Sequence, residues 1–204
     1  MRKKRSVIGR IWFVAIAVLL FVAGGLSLFV VRQREKLESL KSSIAALKQE
    51  HVPMRFKIIS RSGGGLKAKL KLYDMDENEI AAVESEMTGE SLFLDFVSVS
   101  VDEGYLAFPK SIFTEMVPPE KGLSLFPLYD RKGFPEVFAT KGMSETLRAE
   151  LTALFSTLKQ GRAVDDAFGN AVHDITEFKA FETGVVYRVV ARLKGGIEVI
   201  EDVK

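Results

Sequence analysis

The chain has 204 residues, 47% hydrophobic and 27% charged, a globular composition rather than a disordered one. It has no cysteine, which excludes disulfides, thiol nucleophiles and thiolate metal sites, and it has only two histidines, His51 and His173. The net charge of +2 conceals a division: from His51 onward 19 Lys and Arg face 24 Asp and Glu, and a net −5 argues against a nucleic-acid partner.

Residues 1–10 form a basic tail, with Arg2, Lys3, Lys4, Arg5 and Arg10 and no acid. Residues 11–31, IWFVAIAVLLFVAGGLSLFVV, are uncharged, and 14 of these 21 are Leu, Ile, Val or Phe. As a helix rising about 1.5 Å per residue the run is roughly 31 Å long, enough to cross a hydrocarbon core. At about −0.3 to −0.6 kcal/mol for each large apolar residue, insertion is favoured by roughly 4 to 8 kcal/mol. The run therefore predicts a transmembrane helix, with the lipid bilayer as its first partner. The basic tail predicts a single pass of the cytoplasmic (inner) membrane, N-terminus in the cytoplasm and C-terminal part outside. Ala23-Gly24-Gly25 offers small residues at a cleavage position, so a secreted protein with a cleaved signal peptide is the alternative. The apolar run continues to Val31, beyond the roughly 7 to 15 residues of a signal-peptide core, and favours an uncleaved anchor.

Residues 32–52 predict a helical or coiled-coil stalk. Leu37, Leu40, Ile44 and Leu47 alternate three and four apart, with His51 next in the series and Pro53 as the stop. Such a stripe packs on its own domain or on a second copy. With Ala23-xxx-Ser27 as a small-residue contact in the span, the second case is a parallel homodimer through span and stalk.

Residues 54–204 predict one α+β domain, mostly antiparallel strands with a covering helix. Arg55 to Arg61 reads as a strand and Gly63-Gly64-Gly65 as a turn. Leu66 to Leu72 then alternates with lysine on every second position, and Glu79 to Met87 pairs back across the turn Asp74–Asn78. Leu92 to Val101 is a longer strand whose apolar parity changes near Phe96, as a bulge or burial on both faces would produce. Tyr105 to Phe108 is a short strand. Between 109 and 135 stand Pro109, Pro118, Pro119, Pro127 and Pro135, which predict a long irregular excursion with no regular central strand. A helix follows, capped by Ser144, with Leu147, Leu151, Leu154, Phe155 and Leu158 on one face and Gly161 as its stop. Strands Ile175 to Phe181, Val185 to Leu193 and Ile197 to Asp202 close the chain, the last two a hairpin.

The sequence carries no strong catalytic constellation, and the expectation is a non-enzyme without metal or cofactor. His173-Asp174 with Glu177 lacks a second histidine for a metal site. Asp74-x-Asp76-x-Asn78 opens like a calcium loop but has Glu79 where the glycine belongs. Ser156-Thr157-Leu158-Lys159 matches S-x-x-K without the partner motifs of serine acyl-enzymes. The lysine face of Lys67, Lys69 and Lys71 is expected to pair across strands with Glu79, Glu84 and Glu86. The aromatic, proline-punctuated excursion supplies the candidate partner-binding residues, Phe108, Phe113, Phe126, Tyr129, Phe134 and Phe138, because aromatics enrich interfaces and loops on a scaffold carry function. The competing reading is that these rings pin the excursion to its own core.

Basic tail, one span, stalk and small outer domain make an order of parts similar to the bitopic proteins of cell-division and secretion machines, though no motif of those families is present. The resemblance implies a structural or scaffolding member of a bacterial-type envelope assembly, with an envelope protein as partner. The alternative is an envelope ligand- or polymer-binding module.

Overall fold

In the computed structural model the described residues are 50–101, 104–161, 172–178, 181–192 and 196–203. They belong to one compact unit, Ser43–Lys204. The expected span and the stalk up to residue 49 lie outside them, as does the turn expected at 194–196 up to Gly195. Among the described residues no helix is long and apolar enough to cross a membrane.

The strands, in chain order, are β1 (Glu50–Ser62), β2 (Gly65–Tyr73), β3 (Glu79–Thr88), β4 (Leu92–Val101), β5 (Gly104–Thr114), β6 (Leu123–Ser124), β7 (Asp130–Arg131), β8 (Phe134–Pro135), β9 (Val172–Phe178), β10 (Val186–Arg192) and β11 (Gly196–Glu201). Among the described residues two α-helices interrupt them, α1 (Phe126–Tyr129) and α2 (Glu145–Lys159), with single 3-10 turns at Pro119–Lys121 and Glu136–Phe138. A five-stranded sheet runs β11-β10-β1-β2-β3, a four-stranded sheet β6-β5-β4-β9, and β7-β8 is a short ribbon. All their strand pairs are antiparallel, so the described part is a mainly antiparallel α+β fold.

Period-two alternation builds the larger sheet. Leu66, Ala68, Leu70 and Leu72 of β2 are buried, as are Met54, Phe56 and Ile58 of β1, while Lys67, Lys69 and Lys71 face the other way. Gly63 and Gly64 turn β1 into β2 at φ of 61° and 73°, a region costly for any side chain. The next turn is held by the Asp74 carboxylate, which accepts from the backbone N–H groups of Asp76 at 2.9 Å and Asn78 at 2.8 Å.

The strand expected at Ile175 to Phe181 is Val172–Phe178, and two further boundaries move at prolines. Glu50, His51 and Val52 open β1 rather than closing a stalk helix, and Pro53 lies inside the strand. The β1–β10 register slips between His51 and Met54, so proline stands where the ladder is already irregular and its missing N–H breaks no regular pairing. Likewise β5 does not end at Phe108 but runs through Pro109 to Thr114. Asp95 pairs with Ser111 and Phe96 with Pro109, so Lys110 is the extra residue of a bulge. The parity change in β4 has its cause here: residues from Leu94 to Val99 are buried on both faces, beside a bulge carried by the neighbouring strand.

Beyond β5 the chain is irregular, as Pro118, Pro119, Pro127 and Pro135 require, and it is anchored. Leu125 N–H donates to Lys110 O at 2.8 Å, and Tyr129 Oη donates to Pro109 O at 2.8 Å. The helix α2 begins at the expected cap, Ser144 Oγ accepting from Leu147 N–H at 3.2 Å. Its buried face is Leu147, Leu151, Leu154, Phe155 and Leu158. Phe155 stacks on Tyr129, with ring centroids 5.3 Å apart, and lies parallel to Phe108 at 6.1 Å. Helix, excursion and β5 thus share one aromatic core.

Candidate functional site

Five of the six aromatic candidates lie in the interior and not on an exposed surface. Phe108, Phe113, Tyr129, Phe134 and Phe138 are buried. Phe108 packs against Phe138 at 4.7 Å, and Phe138 against His51 of β1 at 5.6 Å. Phe113 stacks on Phe93 at 5.3 Å. Phe134 lies beneath the Arg148 guanidinium at 4.2 Å. Phe126 is the half-buried member, held edge-on by Phe155 at 5.3 Å. An irregular segment rich in proline cannot be fixed by a hydrogen-bond ladder, so ring packing fixes it instead. A partner would have to unfold this core to touch five of the six.

The chemical candidates are likewise engaged in structure. Asp76 accepts from Thr140 Oγ1 at 3.1 Å and Lys141 N–H at 2.7 Å, which with Asp74 turns the calcium-like pattern into a turn and a loop clasp. Lys159, the lysine of S-x-x-K, pairs with Asp130 rather than with Ser156, whose Oγ accepts from Gln160 Nε2 at 3.3 Å. That ammonium holds the Asp130 carboxyl below its ordinary range. His173 lies on β9 opposite Ser98 of β4. Among the described residues no group of three metal-ligating side chains comes together.

A polar cluster that the sequence reading did not single out lies at the β5 bulge. Asp95 is buried, 3.1 Å from Lys110 Nζ, and Ser111 Oγ points toward the same carboxylate oxygen at 3.5 Å. The signal was legible: one aspartate in the otherwise apolar run LFLDFV. A bulge aims the extra residue at what its neighbours bury, and here it supplies the cation a buried carboxylate needs. Arg61 is a second such tie, donating from Nε to Glu90 O at 2.7 Å, from Nη1 to Thr183 Oγ1 at 2.9 Å and from Nη2 to Phe181 O at 2.6 Å.

Among the described residues, the lysine-bearing face of the larger sheet and the strand β3 are in part open to solvent. Lys69 and Lys67 reach Glu84 at 3.1 and 3.6 Å, and Lys71 reaches Glu79 at 2.6 Å, which gives the expected cross-strand pairing. Hydrogen bonding from Lys69 keeps the Glu84 carboxyl below its ordinary value. Further along the same face like charges are neighbours: Lys57 is in register with Lys69, and Arg55 with both Lys71 and Arg188. Arg55 is neutralised by Asp202 at 3.0 Å and lies over the Tyr73 ring at 4.6 Å. Along β3 every residue is half-buried or exposed, in contrast to β2 beside it. The chain matches no protein-family model, no curated protein and no solved structure.

Proposed function

We propose that the chain is a single-pass, membrane-anchored scaffolding protein of a bacterial-type envelope assembly, its α+β domain held outside the cytoplasmic membrane as a binding rather than a catalytic unit. The observation that carries this reading is the 21-residue apolar run of residues 11–31 behind a tail of five cations and no acid. Support from the domain is of a different kind: Asp74, Asp76 and Lys159 are engaged in a turn, a clasp and an ion pair, while among the described residues β3 is paired on one side alone.

Because cysteine is absent, single-cysteine variants test the topology cleanly. Ser91→Cys in the domain is expected to react with a membrane-impermeant maleimide on intact cells, and Ser6→Cys in the tail only after permeabilisation. The opposite pattern overturns the orientation. A soluble, labelled Ser91→Cys product lacking its N-terminus establishes the secreted alternative instead.

A second reading, an envelope-polymer binding module, is favoured by one observation. Lys57 and Arg188 enlarge the cationic row of the outer face, and neither has an ion pair among the described residues. Retention on an anionic polymer that falls on Lys57→Glu and Arg188→Glu would support it.

A further inference from the structure

We propose that the open edge of β3, from Ala81 to Met87, receives an extended segment of a partner protein in which apolar and cationic residues alternate. The inference rests on the scaffolding reading and names the chemistry of its partner. β3 closes one side of the five-stranded sheet with ten residues, whereas β11 closes the other with six. Proteins guard exposed edges with lysine, proline, inward charge or brevity. The sequence EIAAVESEMT has no lysine or proline and is not short; its guards are the charges of Glu79, Glu84 and Glu86 and a bulge at its start, where Ile80 is skipped in the register and Arg131 Nη2 donates to its carbonyl at 3.1 Å. At the far end Thr114 Oγ1 donates to Thr88 O. Between these two clips β3 is hydrogen-bonded along one side, to β2, and the other side is open among the described residues.

The two faces of the edge set what it would accept. Ala81, Val83, Ser85 and Met87 are in register with Leu72, Leu70, Ala68 and Leu66, which are buried, yet they are themselves only half-buried. The apolar layer therefore runs out to the edge and is only partly covered there, by α1 and the end of β5. On the opposite face Glu84 and Glu86 stand across from Lys69 and Lys67. Both lysines turn to Glu84, and Glu86 has no ion pair among the described residues. A strand added here would extend the ladder, lay apolar side chains beside Val83 and Met87, and bring cations to Glu84 and Glu86. β2, LKAKLKL at its centre, already meets β3 in this way from the other side. A second copy of the chain fits less well, because antiparallel pairing over the whole open stretch sets Glu84 directly against Glu84.

The test uses the full chain in zwitterionic detergent micelles and a fluorescent peptide of sequence LKAKLKL, followed by anisotropy. Two versions of the peptide are N-methylated on alternate residues, so that each has lost the donors of one side. Saturable binding kept by one version and lost by the other is expected, since an added edge strand pairs through one side alone. Glu86→Lys is expected to weaken binding by about tenfold. If that variant unfolds the domain, Glu86→Gln is the substitute and is expected to give a smaller loss. Equal binding of both methylated peptides, or unchanged binding by a folded Glu86 variant, reduces the association to nonspecific attraction and overturns the proposal. So does self-association that yields disulfides at Val83→Cys or Glu84→Cys without peptide, because the second copy then holds the edge. A failure of the scaffolding reading appears separately, in the maleimide labelling of Ser6→Cys and Ser91→Cys.

Discussion

Tyr129 shows what one buried polar atom does for an otherwise apolar core. Its ring lies among Phe126 and Phe155, and its hydroxyl satisfies the Pro109 carbonyl beside the bulge. Tyr129→Phe is expected to cost about 1 to 3 kcal/mol in denaturant unfolding, because the acceptor stays buried when its donor is lost. Burial, with a smaller contribution from the nearby Asp130 charge, raises the phenol well above its ordinary value of 10.0. The folded state then resists an ionisation that the unfolded chain undergoes freely. Stability is full below that ordinary value and declines as pH rises from it toward the folded one, and Tyr129→Phe should remove this part of the alkaline slope. Glu115 acts in the opposite direction. Its carboxylate accepts from the N–H groups of Glu90 at 2.7 Å and Ser91 at 2.8 Å, which lowers it below 4.5. Its contribution is present above that value and is lost as pH falls through the folded one, so Glu115→Gln should flatten the acid limb of a stability profile measured across that range.

At the scale of elements, β5 and β6 meet so closely that Gly122, just before β6, has no room for a side chain. An added Cβ would meet the Ile112 carbonyl and Phe113 Cβ well inside contact distance, although the backbone at Gly122, with φ of −66°, is one any residue adopts. Gly122→Ala is therefore expected to destabilise by about 1 to 3 kcal/mol through displacement, not through dihedral strain. Amide exchange at Ser111 and Ile112, the β6-paired residues of β5, should rise first. The same closeness explains how Pro109 remains in a strand with neighbours on both sides. A bulge removes the need for its N–H, and the carbonyls around it are taken by Tyr129 and Leu125.

Across the whole described domain, long-range ties join segments far apart in the chain. Arg61, at the end of β1, bonds at once to the turn between β3 and β4 and to the segment before β10. Its truncation, Arg61→Ala, is expected to cost about 1 to 2 kcal/mol in thermal or denaturant unfolding, since the part-buried Phe181 carbonyl loses a charged donor while the bonds to Glu90 and Thr183 are exposed. Phe56, Phe181 and Tyr187 pack at 4.8 to 5.4 Å beneath the same corner and should keep the sheet assembled, so the variant is expected to unfold in one transition at lower midpoint. Such ties reach β3 only at its ends, at Ile80 and Thr88, and among the described residues none falls on the backbone of Ala81 to Met87 between them.

The chain itself determined the elements whose cause is local. The faultless alternation Leu66 to Leu72 gave β2 and its lysine face, Ser144 and the apolar spacing gave α2, and Asp74 gave its turn, because period and capping act within a few residues. The span proposed for residues 11–31, which lie outside the described residues, rests on a local cause of the same kind, the length and apolarity of the run. Only the tertiary structure decided where Pro53 and Pro109 could stand, since that depends on how a neighbouring strand slips past them. It alone decided that Phe108, Phe113, Tyr129, Phe134 and Phe138 face inward, because composition reports that a ring seeks cover but not whether its own fold provides it. The order β11-β10-β1-β2-β3, which leaves β3 at the rim, is likewise a product of distant pairings that no local period encodes.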